Sequence, residues 1–262
     1  MPELPDVETF KRYADKNLSG HKLNGVEIND QKVLISSSDK MKKELKGNKI
    51  NSFSRKGKYL YASVSKSDLF LLMHFGMTGY LKLYREEKNK PDNSPVIFEL
   101  GNHSFLAFVN QRKFGEIGLI EDPGEYFKRK KLGPDALKIE KDEFIKLFEK
   151  KKGAIKPRLM DQSNICGLGN VYVDEILFQA EIHPEQDCNK LNEKNWEHIY
   201  SVMKRVLEIT IKHQADPKEF PSHYLTYNRK EGRECENGNK IKKIEVGGRA
   251  TYFCPGRQRK LG

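Results

Sequence analysis

Directly behind the initiator methionine stand a proline and a glutamate, Pro2 and Glu3. Small second residues favour removal of Met1, which leaves Pro2 as a free secondary amine. An α-amino group titrates near ~8, against ~10.4 for a lysine. A usable fraction is therefore unprotonated at neutrality and nucleophilic without burial to activate it. A secondary amine attacking an aldehyde-level carbon gives an iminium with no N–H to lose, a fixed cation that serves as an electron sink. Glu3, one residue away, is placed to deliver or accept a proton. The same stretch, Pro2-Glu3-Leu4-Pro5-Asp6-Val7-Glu8-Thr9, also reads as an ordinary helix start. Pro5 then sits in the first turn, and the acids complement the helix dipole.

The charge balance points to a polyanion. Lys and Arg number 48 against 37 Asp and Glu, a net charge of +11, which favours an acidic partner, although a generally lysine-rich composition gives the same total. Position is more telling. Residues 229–260 hold ten Lys/Arg and four Glu, so they carry +6 of the +11, a focused patch of the kind nucleic acid binds. No apolar run approaches the ~18 residues of a membrane span. Glu3, Asp6 and Glu8 precede any apolar stretch, unlike a secretory signal. Cysteines at 166, 188, 235 and 254 make no dense disulfide framework, so a reducing, intracellular setting is expected, with Cys166 a small buried residue.

The elements that must carry these residues fall into two regimes. Residues 5–18 read as a helix with Val7, Phe10 and Tyr13 on one face, ended by Gly20. From 22 to 120 the pattern changes to short apolar or alternating runs, among them 32–35, 59–64, 69–72 and 104–109. That is an all-β signature, and with the helix it predicts a β-sandwich domain. The stretch LGPDAL at 132–137 reads as a linker broken by Gly133-Pro134. Beyond it the period is helical again. One helix runs around Phe144, Ile145, Leu147 and Phe148 to Gly153, and a second from about 170 to 180 follows Gly167 and Gly169. A third spans 193–214, with Trp196, Ile199, Val202, Met203, Val206 and Leu207 inward. Strands at 240–246 and 249–253, joined by Gly247-Gly248, make a hairpin with a two-glycine turn. The fold class is α+β. On pattern alone Lys58 is a strand-edge lysine, Met77 and Phe114 are core residues, and Arg112 is a surface residue.

Seven blocks carry a further reading: PELPDVET at 2–9, KGKYLY at 56–61, HFGMTG at 74–79, NQRKFGEI at 110–117, LGPDAL at 132–137, KPRLMDQSNICGLGNVYVDEILF at 156–178 and GGRATYFCPGRQR at 247–259. In this order, over essentially the whole chain, they resemble the formamidopyrimidine-DNA glycosylase/endonuclease VIII family of oxidised-base repair enzymes. The resemblance implies an N-terminal catalytic β-sandwich over 1–131, a helix-two-turn-helix DNA-binding domain over 132–228, and a β-hairpin finger over 229–262. It makes Pro2 the nucleophile and Glu3 the acid/base. Lys58 stands near a phosphate flanking the lesion and assists elimination. Met77, Arg112 and Phe114 fill the hole an extruded base leaves, a triad typical of the formamidopyrimidine branch. Asn170 touches phosphate, and Arg249 grips phosphate beside the lesion and assists the second elimination. The implied enzyme is a bifunctional DNA glycosylase/AP lyase working by a proline Schiff base and β,δ-elimination, with no metal or redox cofactor. It is expected to act as a monomer on damaged double-stranded DNA, away from membranes, in the cytoplasm or nucleoid of a bacterium or the nucleus of a eukaryote.

Two departures qualify the resemblance. Many members close the finger with two Cys-x-x-Cys pairs around Zn²⁺. Here Gly238 and Arg257 replace the second cysteine of each pair, and no histidine lies between 224 and 262. A zinc-less finger is therefore expected, and a Cys235–Cys254 disulfide is the less favoured state in a reducing compartment. The loop from Ala215 to Tyr224 is also short for a base-capping lid. This leaves open an endonuclease VIII-like preference for oxidised pyrimidines, and, in another class, a lesion or abasic-site binder without catalysis.

Overall fold

The computed structural model describes residues 1–101, 103–235 and 238–261. The chain forms two compact units: Met1–Pro2 with Asp6–Lys130, and Glu3–Pro5 with the chain from Lys131 onward.

The first unit contains most of helix α1 (Leu4–Asn17), then β1 (Leu23–Ile28), α2 (Ser38–Leu45), β2 (Ser54–Lys56), β3 (Tyr59–Ser63), β4 (Phe70–His74), β5 (Tyr80–Tyr84), β6 (Val96–Leu100), β7 (Ser104–Val109), β8 (Glu116–Ile120) and α3 (Pro123–Arg129). The strands form two antiparallel four-stranded sheets, ordered β1-β6-β7-β5 and β2-β3-β4-β8. Alternation explains the layering. In β3 the even positions Leu60 and Ala62 are buried while Tyr59, Tyr61 and Ser63 are half-exposed. One core joins the sheets, with Phe98, Leu106 and Phe108 from the first and Leu60, Leu71, Met73 and Ile117 from the second. Val7, Ala14 and Leu18 of α1 complete it. Each fully buried side chain of this size contributes about 1.5–3 kcal/mol by leaving water. Register sets Tyr59 opposite His74, and His74 opposite Glu116.

Three details of this unit differ from the sequence reading. Residues 32–35 are not a strand. Asp30 accepts the Lys32 amide at 2.9 Å and caps a single 3-10 turn over Gln31–Val33, leaving Leu34 one isolated bridge to Ile117. Helix α2 lies inside the stretch read as all strand. Ser37 caps it, and Met41 and Leu45, four residues apart, bury its inner face. Helix α3, capped by Asp122 with Pro123 in its first turn, was likewise unanticipated.

The second unit holds α4 (Lys141–Phe148), α5 (Ile155–Met160), α6 (Asn170–Gln179), α7 (Glu193–Lys212), β9 (Lys242–Val246) and β10 (Arg249–Phe253). Asn192 and Asn195 form a reciprocal capping box at the start of α7. Trp196 of α7 is fully buried and stacks on Phe148 of α4 at 5.5 Å between centroids. Residues 132–137 are stitched into this unit: Gly133 N donates to Gln162 O at 2.9 Å, and Ala136 N to Cys166 O at 3.0 Å. Strands β9 and β10 pair antiparallel with Val246 opposite Arg249. The turn needs positive φ at both positions, which Gly247 (59°) and Gly248 (73°) supply.

Candidate active site and nucleic-acid interface

Glu3 lies where the chain from Ile165 to Gly169 turns into α6. Gln162 shapes that turn, donating to the carbonyls of Met160 and Leu168 at 2.7 Å and accepting the Gly167 amide at 3.1 Å. A Cβ on Gly167, whose φ is +111°, would stand 2.6 Å from Leu4 Cδ1, and one on Gly169 would stand 2.3 Å from Glu3 Cδ. The two glycines therefore make room for Leu4 and Glu3. Leu4 N donates to Gly167 O at 3.0 Å. The Glu3 carboxylate, 1% exposed, accepts the amides of Val171 at 2.9 Å and Tyr172 at 3.2 Å. These are among the N–H groups that no helical carbonyl satisfies, and an anion there also meets the positive end of the dipole.

Asn170, the first residue of α6, donates through Nδ2 to the carbonyl of Ala250 at 3.0 Å. It thereby ties the helix start to the strand that begins with exposed Arg249. Beneath lies a buried charge cluster. Asp174 meets Lys156 at 2.7 Å, both side chains being 0% exposed, and Arg229 also at 2.7 Å. It also accepts the Tyr252 amide at 3.2 Å. Burial holds the Lys156 ammonium below the usual lysine range, with Asp174 opposing. Next along the helix, Glu175 accepts the Thr226 amide at 2.7 Å and hydroxyl at 2.8 Å, and burial pushes its carboxyl upward. On the solvent side Lys240, Lys242, Lys243 and Arg249 are exposed.

The finger's donor set does not fit zinc. Cys235 and Cys254 are joined as a disulfide with Cα atoms 6.6 Å apart, where a pair of thiols was expected. That spacing lies within the reach of the bridge, and folding the hairpin creates it. Gly238 has no side chain to offer. Arg257 lies over the Phe178 ring at 4.7 Å and donates to the Phe178 carbonyl at 3.1 Å. Among the described residues no group of three or more His, Cys, Asp or Glu could hold a metal ion.

In the first unit, Lys58 follows Gly57 at the turn between β2 and β3 and is 8% exposed, more buried than a strand-edge lysine. Beside it Arg55 is held by Glu8 at 2.9 Å and by the Gly57 carbonyl at 3.0 Å. Burial lowers His74 to about 4, with Lys58 and Lys130 adding to the effect and Glu116 opposing it. Burial, then Glu116, raises Tyr59 to about 12. The imidazole is thus neutral and the phenol protonated at physiological pH.

Met77 and Phe114 are not core residues. They are 39% and 60% exposed, and the Arg112 guanidinium lies 5.4 Å from the Phe114 ring centroid. Fully buried Asn110 joins the two loops that present them, donating to Phe75 O at 3.0 Å and accepting the Gly115 amide at 3.3 Å. A Cβ on Gly76 would stand 2.5 Å from the Phe114 carbonyl carbon, so the loops touch through backbone. The first unit brings Met77, Arg112 and Phe114 together and also holds Pro2 and Lys58, while the second gathers Glu3, Asn170 and Arg249. Sequence reasoning missed Asn110, Lys156, Asp174 and Arg229. A signal was present for one: Asp174-Glu175 interrupts an otherwise apolar helix.

Residues 1–117 match the family model of the formamidopyrimidine-DNA glycosylase N-terminal domain, and residues 132–221 match that of the formamidopyrimidine-DNA glycosylase H2TH domain. The chain is 36% identical to a formamidopyrimidine-DNA glycosylase of Arabidopsis thaliana, over 100% of this chain and 72% of that protein. It is 34% identical to the one of Lactococcus lactis subsp. cremoris, over 99% and 100%. Among solved structures, the Lactococcus lactis enzyme bound non-covalently to AP-site DNA superposes with a TM-score of 0.88 at 32% identity, covering 98% of this chain and 100% of that one. MutM in complex with DNA containing carbocyclic 8-oxo-G gives 0.89 at 32% identity, covering 99% and 100%.

Proposed function

We infer the work of individual residues from the premise that this chain belongs to the formamidopyrimidine-DNA glycosylase family. It is a bifunctional DNA glycosylase and AP lyase that acts on oxidised bases in damaged DNA. In our reading the Pro2 nitrogen, freed of Met1, attacks C1′ of the damaged nucleotide. A nitrogen–carbon bond forms, and the glycosidic electrons leave with the base, which takes up a proton. Glu3 protonates O4′ as the C1′–O4′ bond opens, giving the iminium. That cation draws electrons from C2′, whose proton leaves as the 3′ phosphate departs. A second elimination releases the 5′ phosphate, and water then hydrolyses the iminium to regenerate Pro2.

The observation that carries this reading is the immobilised Glu3 carboxylate, held by two helix amides immediately after the nucleophile in the chain. Arg249 and Asn170 grip the backbone, Lys58 serves the phosphate beside the lesion, and Met77, Arg112 and Phe114 occupy the space of the extruded base. The working parts are residues 1–131 for chemistry and hole filling, and 132–228 with 229–262 for holding DNA. The expected setting is a bacterial cytoplasm or nucleoid, since many relatives are bacterial.

A second reading of lesion choice has its own support. Residues 215–224 offer no long lid: they contain a 3-10 turn at Pro217–Glu219, and Phe220 and Tyr224 are 4% and 3% exposed in the helical core. This favours oxidised pyrimidines or ring-opened purines over 8-oxoguanine. Borohydride trapping on abasic, 8-oxoguanine, formamidopyrimidine and oxidised-pyrimidine duplexes tests both readings. A covalent adduct that needs Pro2 is expected, with the weakest trapping on 8-oxoguanine. An adduct undiminished in Pro2→Gly would overturn the assignment of the nucleophile.

A further inference from the structure

A structural zinc in a finger fixes the hairpin's shape and also its seat on the rest of the protein. Here the disulfide closes the open end of the hairpin. The turn end rests on α5, where a Cβ on Gly247 would come within 2.6 Å of Pro157 Cγ. Neither feature holds β10 along its length, and β10 carries Arg249.

We propose that Asp174 is the positioning residue of this hairpin, a buried anion that seats β10, and therefore Arg249, in place of a metal ion. Its two oxygens divide the task. Oδ1 faces Lys156 Nζ at 2.7 Å. Oδ2 accepts Arg229 through Nη2 at 2.7 Å and Nε at 3.2 Å, and also the Tyr252 amide. Each cation then reaches β10 a second time. Lys156 donates to the Thr251 hydroxyl at 2.7 Å and to the Ala250 carbonyl at 3.4 Å, and Arg229 lies over the Tyr252 ring at 4.5 Å. The Thr251 hydroxyl in turn donates to the carbonyl of Arg249 at 2.9 Å. Three consecutive residues after Arg249 are thus pinned through one carboxylate. Such a cluster is stable only when complete, because removing one partner strands a buried charge. A surface ion pair would give no comparable lock.

The proposal rests on the reading of Arg249 as a phosphate ligand, so the experiment includes a control for it. The full-length protein is bound to an abasic-analogue duplex over a range of salt, and the slope of log K against log salt is read for wild type, Arg249→Ala, Asp174→Asn, Arg229→Gln and the double variant Asp174→Asn/Arg249→Ala. Amide exchange at residues 249–253 is followed in parallel. Losing one phosphate contact lowers the slope by about one unit. Asp174→Asn is expected to lower it by about the same amount as Arg249→Ala, with no further drop in the double variant, and to speed exchange at Tyr252 well before the helices exchange. Arg229→Gln, at a side chain 19% exposed, is expected to move both readouts the same way by less, which covers the case in which Asp174→Asn fails to fold. If Arg249→Ala lowers the slope while the Asp174 and Arg229 variants leave it at the wild-type value, the positioning role is wrong and the phosphate reading stands. An unchanged slope in Arg249→Ala removes the phosphate reading, and the proposal with it.

Discussion

Glu3 Oε1 accepts the amide of Val171 at 2.9 Å, although 168 positions separate the two residues in the chain. A residue at the start of the chain is thereby tied to the start of a helix in the other half of the sequence. The contact leaves no room at Gly169, whose φ of −141° suits any residue. Gly169→Ala therefore tests the contact without backbone strain. It is expected to lower single-turnover base excision by roughly tenfold or more, as the added methyl displaces the carboxylate. Glu3→Gln keeps the shape but removes the transferable proton and is expected to cost about 10²–10⁴ in the same assay. Full activity in both variants would remove Glu3 from the proton-transfer role.

Met77, Arg112 and Phe114 are exposed, so their truncation chiefly reports their effect on DNA. Arg112→Ala and Phe114→Ala are expected to lower excision from duplex by roughly tenfold to a hundredfold, matching the few kcal/mol needed to unstack a base step. Thermal unfolding should stay near wild type. A shared loss of stability would mean that these side chains support the fold after all.

Four cysteines should divide two and two. Denatured without reductant, the protein is expected to show two reactive thiols, Cys166 and Cys188, and four after reduction. In the native state Cys188 should react slowly, since burial pushes its thiol up to about 11. Elemental analysis is expected to find no stoichiometric zinc, with activity unchanged after exhaustive chelation. Bound zinc whose removal unfolds residues 235–257 would overturn the zinc-less finger.

The half-buried, neutral His74 makes stability depend on pH in a defined window. Its folded pKa, about 4, lies below the usual histidine value of 6.5, so the unfolded chain binds an extra proton between those values. Stability is full above about 6.5 and falls as pH drops toward 4, by roughly 2–3 kcal/mol after allowing for partial exposure. Chemical denaturation at pH 7 and pH 5 should show the loss, and His74→Gln should flatten it. An unaltered difference in the variant would assign the effect to groups other than His74.

Long periodic elements were legible because the signal is local. Helix α7 and the Gly-Gly hairpin follow from spacing and turn chemistry alone. Helices α2 and α3, of eight and seven residues, offer too few turns for a period to stand out, and their caps were the only readable marks. The exposure of Met77 and Phe114 runs against the usual fate of apolar residues, and only the family resemblance anticipated it. Beyond the acidic pair inside an apolar helix, the Asp174 cluster had no local pattern. Its members lie 18 positions apart on one side and 55 on the other, and no spacing rule connects them. Glu3 was readable as chemistry but not as a helix cap, since its partners come from a distant turn.

Leu4 is fully buried in the core of the second unit, among α4, α6 and α7 residues, while Asp6 onward packs with the first. The two units therefore cannot be traded as independent cassettes. A gene fragment starting at Lys131 would encode a helical body with a leucine-sized hole and an uncapped α6. One ending at Lys130 would carry Pro2 but leave Glu3 without its amides. Recombination between distant relatives at the linker would pair an N-terminal peptide from one parent with a receiving groove from the other. Leu4 and Gly167, and likewise Glu3 and Gly169, must then be inherited as matched sets, so a chimera joined near residue 131 is viable only when its first five residues come from the parent that supplies the helices.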